Sequence, residues 1–236
     1  MSDNDFDFIE VGPLKPPATK LVFVLHGYGR NAETMKIVGQ DIAAAIPNAK
    51  IILPNAPEPF KLPERRGDNV LHVPEVVKNG KGVNDPKALR QWFSIHGGWT
   101  DVHKKIAAVV PRLNKFIDKQ RDLAGLEDKD IAILGFSQGG GVGLYTAYMR
   151  DKPIASLVAH STVFIGDTGL KSKPPTLFIY GDKDEEFTEA RYKEIISKLR
   201  DYLGALETSK VPGLKHKTSA ESRRRAASFI KKHFEP

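Results

Sequence analysis

The chain has 236 residues, 40% of them hydrophobic, with 36 lysines and arginines against 29 acids and no cysteine. That length and apolar content allow one large core and a single domain over residues 1–236, and the missing cysteines exclude disulfides, a thiol nucleophile and thiolate metal sites. The net charge of +7 raises nucleic acid or an anionic membrane as a partner, but the basic cluster Lys215, Lys217, Arg223, Arg224, Arg225, Lys231 and Lys232 has no interleaved aromatics for bases to stack on, so it reads as a solvated helix face with no nucleic-acid role.

The first residues, Met1-Ser-Asp-Asn-Asp-Phe-Asp7, are acidic where a signal peptide is basic, and no apolar run approaches the roughly 20 residues of a membrane span. The expectation is a soluble cytoplasmic protein with no stable membrane insertion. Lys20–Leu25 is a continuous apolar run, too short for a core helix and rich in β-formers, which predicts a central parallel strand. It runs into His26-Gly27-Tyr28-Gly29, a polar turn at the carboxyl end of a strand, where α/β sheets place ligands. Asn31 can cap the helix that follows, Glu33 suits its first turn, and Pro47 closes it near Ile46.

Lys50–Pro54 is the next strand. Residues 56–98 then carry prolines and glycines with scattered apolar residues, among them Phe60, Leu71, Trp92 and Phe93. Long connections of this kind are often lids or binding loops, so Leu71 and Trp92 are candidate substrate contacts; the other reading is a weakly patterned strand or helix. Thr100 can cap a helix whose apolar residues Val102, Ile106, Val109, Leu113, Phe116 and Ile117 recur at three and four, with a kink expected at Pro111.

Ile131–Leu134 reads as a strand that breaks into Gly135-Phe-Ser137-Gln-Gly139 and resumes as a helix through Val142–Tyr148. Further strands are predicted over Ile154–Ala159, Thr176–Tyr180 and Leu206–Val211. A helix between Thr188 and Leu203 presents Tyr192, Ile195, Ile196, Leu199 and Tyr202 on one face and stops at Gly204. Thr218-Ser-Ala-Glu221 matches a capping box opening the last helix. Alternating strands and helices imply a parallel sheet covered on both faces, with functional groups on the loops after its strands.

Three of those loops carry chemistry. Glycines two before and two after Ser137 let a strained backbone expose the hydroxyl at the end of its strand, the G-x-S-x-G pattern of a nucleophile elbow. A serine hydroxyl needs a base, and the base needs a third group to fix its tautomer. Where such triads sit on an α/β sheet of this kind, the chain order is serine, acid, histidine. His26 and His96 precede Ser137, His160 precedes the acidic loop and His233 lies in the last helix, so of these and His216 the base is His216. Asp182, Asp184, Glu185 and Glu186 all lie on the loop after Tyr180, and spacing does not choose between them.

The chain resembles the carboxylesterase/phospholipase branch of the α/β-hydrolases, which includes bacterial carboxylesterases and acyl-protein thioesterases. The motifs are Leu25-His-Gly-Tyr-Gly29, Pro54-Asn-Ala-Pro57, Gln91-Trp-Phe93, Gly135-Phe-Ser-Gln-Gly-Gly140, Gly181-x-x-Asp184 and His216-x-x-Ser219, spread from about Lys20 to Phe234. The resemblance implies an α/β-hydrolase fold with a central, mostly parallel sheet and helices on both faces. It implies Asp184 as the acid, the N–H groups of Tyr28 and Gln138 as an oxyanion hole, and no metal or other cofactor. It further implies a small-molecule ester as substrate, with thioesters or lysophospholipids as variants, and leaves both a monomer and a homodimer open. Ser94, where the family usually has aspartate, and Glu185-Glu186-Phe187, where it usually has an acid or a proline-valine run, depart from the pattern beside the expected pocket.

Overall fold

In the computed structural model, which describes residues 6–61, 89–95, 101–164 and 169–235, the apolar runs become the middle of one sheet. The strands in chain order are β1 (Phe8–Val11), β2 (Lys20–Leu25), β3 (Ala49–Pro54), β4 (Glu58–Pro59), β5 (Arg90–Gln91), β6 (Ile131–Phe136), β7 (Ser156–His160), β8 (Thr176–Gly181) and β9 (Glu207–Val211). The helices are α1 (Lys36–Ala45), α2 (Val102–Leu123), α3 (Gln138–Tyr148), α4 (Glu189–Leu203) and α5 (Ala220–Phe234). Seven strands pair in the order β1-β3-β2-β6-β7-β8-β9, and β4 pairs with β5 in a separate two-residue ladder. Every neighbour in the large sheet is parallel except β1, which runs antiparallel along β3 with Phe8 opposite Pro54.

The inner strands lack polar alternation because neither face is wet. Leu21, Phe23 and Leu25 of β2 join one apolar layer with α2, α3 and α4, where Ile106, Leu113, Leu144 and Ile195 are buried. Val22 and Val24 point the other way, into a second layer with Ile42 of α1 and Ile230 of α5. The parallel arrangement brings the carboxyl ends of β2, β6, β7, β8 and β9 to one edge, β6 being the central strand of the seven. This is the α/β-hydrolase architecture.

The departures from the sequence reading are local. β1 has no strong signal: its four residues alternate between exposed and half-buried, and only pairing with β3 makes them a strand. The final cap lies one residue further on than predicted, because Ser219 accepts from the Ser222 N–H while the Ser222 hydroxyl accepts from the Ser219 N–H. Glu221, the residue assigned to that role, instead pairs with Arg225 one turn along. Asn31 does not cap α1: its Oδ1 accepts the Thr34 N–H at 3.1 Å ahead of a 3₁₀ turn over Glu33–Met35, and α1 follows Met35 with no side-chain cap. Pro111 lies inside a single helix assigned without interruption over Val102–Leu123. Thr100, His96 and most of the 56–98 stretch, Leu71 included, lie outside the described residues.

Candidate active site

β6 ends at Phe136, and the chain turns into α3 through Ser137 at φ 53° and ψ −120°, a strained conformation for a residue with a side chain. The surroundings over-determine it. The Ser137 N–H donates to the His160 carbonyl at 2.9 Å, while its own carbonyl accepts from the Thr162 hydroxyl at 2.6 Å and from the Gly140 N–H at 2.9 Å. A Cβ on Gly135 would sit 2.3 Å from the Gly139 carbonyl, and one on Gly139 would sit 2.4 Å from the His26 carbonyl. Glycine at both positions is what lets α3 close this tightly on β2 and β6.

His216 stands on the loop after β9 with Nε2 2.9 Å from Ser137 Oγ and Nδ1 2.8 Å from Asp184 Oδ2. A carboxylate only accepts hydrogen bonds, so Nδ1 carries the proton and Nε2 presents a lone pair to the serine hydroxyl. The two loops meet because Gly181 has no side chain: a Cβ there would lie 1.9 Å from the carbonyl of Leu214, two residues before His216. Asp184 has a fully buried side chain. Burial works against its charge, but the hydrogen bonds from His216, Tyr192 and the Glu186 N–H outweigh that and hold its pKa below the ordinary carboxylate value. Its Oδ1 accepts from the Glu186 and Phe187 N–H groups at 2.9 and 3.1 Å, and Oδ2 also accepts from the Tyr192 hydroxyl at 2.6 Å.

The other acids on this loop are otherwise engaged. Asp182 accepts the Gly213 N–H at 2.7 Å and so braces the turn after β9. Glu185 makes an exposed ion pair with Lys215 at 2.6 Å. Glu186 contributes its backbone N–H to Asp184.

Gly27 lies directly against the elbow, since a Cβ there would come within 3.3 Å of Ser137 Cβ, and Tyr28 is the next residue. The turn is braced by His26, which is 1% exposed. Its Nδ1 lies 2.8 Å from the Gly27 carbonyl and its Nε2 accepts the Ala56 N–H at 2.9 Å, so the ring is neutral with its proton on Nδ1. Burial, with smaller contributions from Arg90 and Arg30, pushes its pKa down to about 4. Gln138 opens α3, and its side-chain amide acts as a strand neighbour for residues 92 and 93, accepting the Trp92 N–H at 2.9 Å and donating to the Phe93 carbonyl at 2.8 Å.

Trp92, read from sequence as a substrate contact, is 1% exposed, donates its indole N–H to the His26 carbonyl at 2.8 Å, and packs against the rings of Phe6 and His26. Trp92→Ala is expected to cost about 3 to 5 kcal/mol, lowering Tm by roughly 6 to 20 °C. Ester hydrolysis should fall alike for short and long acyl chains. A change in the long-to-short ratio of kcat/KM at unchanged Tm would instead place this ring at the substrate.

Sequence reasoning assigns no site role to Tyr192 or to the Gln138 side chain. Tyr192 carries only the signal of a helix face, and no spacing rule marks a hydroxyl that reaches back to a loop. The basic cluster is extensively paired: Arg223 with Asp41 at 2.6 Å, Lys232 with Glu207 at 2.9 Å, Lys231 with Glu235 at 3.7 Å, and Arg225 with Glu221. Among the described residues, no helix is long and apolar enough to cross a membrane.

The sequence profile of the phospholipase/carboxylesterase family matches residues 72–234. Acyl-protein thioesterase 1 from Cryptococcus neoformans var. neoformans serotype D is 23% identical over 154 residues, covering 65% of this chain and 58% of that protein. Esterase YpfH from Escherichia coli K12 is 26% identical over 133 residues, 56% of this chain and 47% of that one. The chain thus spans about half the length of the curated relatives it matches. Among solved structures, esterase PE8 superposes with a TM-score of 0.78 at 22% identity, covering 96% of this chain and 98% of that one. SOBER1 from Arabidopsis thaliana superposes with a TM-score of 0.73 at 20% identity over 92% of this chain and 100% of its own.

Proposed function

Because the chain belongs to the phospholipase/carboxylesterase family, we propose that it is a metal-free serine hydrolase that cleaves carboxylic esters through an acyl-enzyme. The observation that carries this reading is the unbroken hydrogen-bonded line from Ser137 Oγ through both nitrogens of His216 to Asp184. Ser137 Oγ attacks the acyl carbon as its proton passes to His216 Nε2, and Asp184 orients the ring and stabilises the imidazolium that forms. The protonated His216 then gives that proton to the departing alcohol. Water repeats the sequence on the acyl-serine, with His216 again as base.

The negative charge of each tetrahedral intermediate falls to the N–H groups of Tyr28 and Gln138. Two facts support that assignment: neither N–H has an acceptor among the described residues, and Gln138 directly follows Ser137 while Tyr28 follows Gly27, where a Cβ would lie 3.3 Å from Ser137 Cβ. Donors already oriented before charge develops need no rearrangement during reaction, which is why such amides stabilise an oxyanion well. A thioester presents the same acyl carbon to the same groups, and the similarity to an acyl-protein thioesterase makes thioesters the second substrate class to test. A non-catalytic binding role leaves the aligned Ser137, His216 and Asp184 unexplained, and the paired state of the C-terminal cations speaks against a nucleic-acid surface.

The direct test is a fluorophosphonate probe followed by mass analysis of the labelled peptide. The label is expected on Ser137 and nowhere else. An unlabelled protein that still hydrolyses esters, or a label on another serine, would overturn the reading.

A further inference from the structure

Asp184 receives hydrogen bonds from two directions, and only one of them leads to His216. The Tyr192 hydroxyl reaches Oδ2, the same oxygen that His216 Nδ1 holds. Tyr192 is fully buried on α4, and the Ser161 side chain beside it works against the upward push on the phenol pKa. Ser161 follows β7, is buried, and has φ 48°, the second strained serine among the described residues after Ser137. His160, 1% exposed, places Nδ1 3.1 Å from Ser161 Oγ.

Counting protons fixes the direction of this run. Asp184 can only accept, so the phenol donates to it and its oxygen is left as an acceptor facing Ser161; a serine proton turned toward that oxygen leaves Ser161 Oγ to accept the Nδ1–H of His160. His160 Nε2 is left as a lone pair, buried and without a hydrogen-bond partner among the described residues. An orphaned buried acceptor costs stability, and a strained serine costs more, so a purely structural role leaves both unaccounted for.

Resting on the proposed serine-hydrolase reading, we infer that His160, Ser161 and Tyr192 form a second arm on Asp184, a directed hydrogen-bond run that positions the carboxylate and limits the charge it presents to His216. Tyr192 is the positioning residue in contact; Ser161 and His160 act through it. Hydrogen bonds in series polarise one another, and here each points its positive end at the carboxylate.

The titratable groups around His216 are Asp184 from the β8–α4 loop, Tyr192 from α4 and His160 from β7, with Glu186 and the exposed Glu185–Lys215 pair nearby. Burial first, and the nearby His216 second, push the His160 pKa down to about 3, so it adds no charge where esterases work. Burial and the Asp184 charge push the Tyr192 phenol upward, so it stays a donor. Removing the phenol hydroxyl leaves more negative charge on the oxygen facing His216. The imidazolium is then held more strongly, and the acidic limb of the rate profile moves to higher pH.

The experiment is kcat, KM and the kcat/KM pH profile for the wild type, Tyr192→Phe and Ser161→Ala, with Tm for each and Ser137→Ala as control. Tyr192→Phe is expected to lower kcat about tenfold at a KM within about twofold, with the acidic limb displaced upward by roughly half a pH unit. Ser161→Ala should move both in the same direction by less, and serves alone if Tyr192→Phe fails to fold. An unmoved acidic limb in the folded variants, whether at wild-type kcat or with lowered Tm and raised KM, overturns the arm. Full activity in Ser137→Ala overturns the serine-hydrolase reading itself, a distinct result from an unmoved limb in an enzyme that needs Ser137.

Discussion

Replacing Ser137 with Ala is expected to remove nearly all ester hydrolysis, on the order of a million-fold in kcat by comparison with other serine triads. The loss is this large because in the proposed mechanism the hydroxyl is the attacking group, and what would remain is only the contribution of binding and the oxyanion donors. The fold should survive. Alanine accepts the φ of 53° as readily as serine does, and the bonds that hold the elbow run through the backbone of residue 137. The purified variant should therefore melt within a few degrees of the wild type while its turnover of a chromogenic ester falls to background. Retention of a tenth of the wild-type rate would sink the assignment of Ser137.

Asp184→Asn is expected to cost about ten-thousand-fold in kcat, because an amide can donate to His216 Nδ1 and so favours the tautomer whose Nε2 already bears a proton. Such a ring cannot take the proton from Ser137. Asp182→Asn is the matched control, one turn of loop away. The carboxylate of Asp182 accepts a single N–H from Gly213, and asparagine keeps a carbonyl oxygen for that bond, so its rate should stay within about tenfold of the wild type. Steady-state kinetics on both variants at one pH distinguishes them. If the Asp182 variant is the slower of the two, the acid has been misassigned.

The contrast between these aspartates marks how far a sequence pattern reaches. Chain order separates His216 from His26, His96 and His160, because on a parallel sheet the order of strands dictates which loops reach one edge, and its place in the last helix sets His233 aside. The same rule does not separate Asp182 from Asp184, since two residues on one loop share a strand end. Their side chains diverge in the fold: Gly181 admits Leu214 close against the backbone, Asp184 reaches His216 and Asp182 reaches Gly213.

The amino-acid sequence by itself determined the strands and helices that carry the site, because each inner strand is apolar on both faces and the helices repeat at three and four. It determined the elbow as well, since Gly135 and Gly139 leave no room for any side chain. Only the tertiary structure decided the groups that arrive from elsewhere in the chain: the Tyr192 hydroxyl on Asp184, the Gln138 amide on Trp92 and Phe93, and β1 along β3. The physical reason is range. Periodicity and turn chemistry report a residue's neighbours along the chain, whereas a buried hydroxyl finds its partner through the packing of whole elements, which no local pattern encodes.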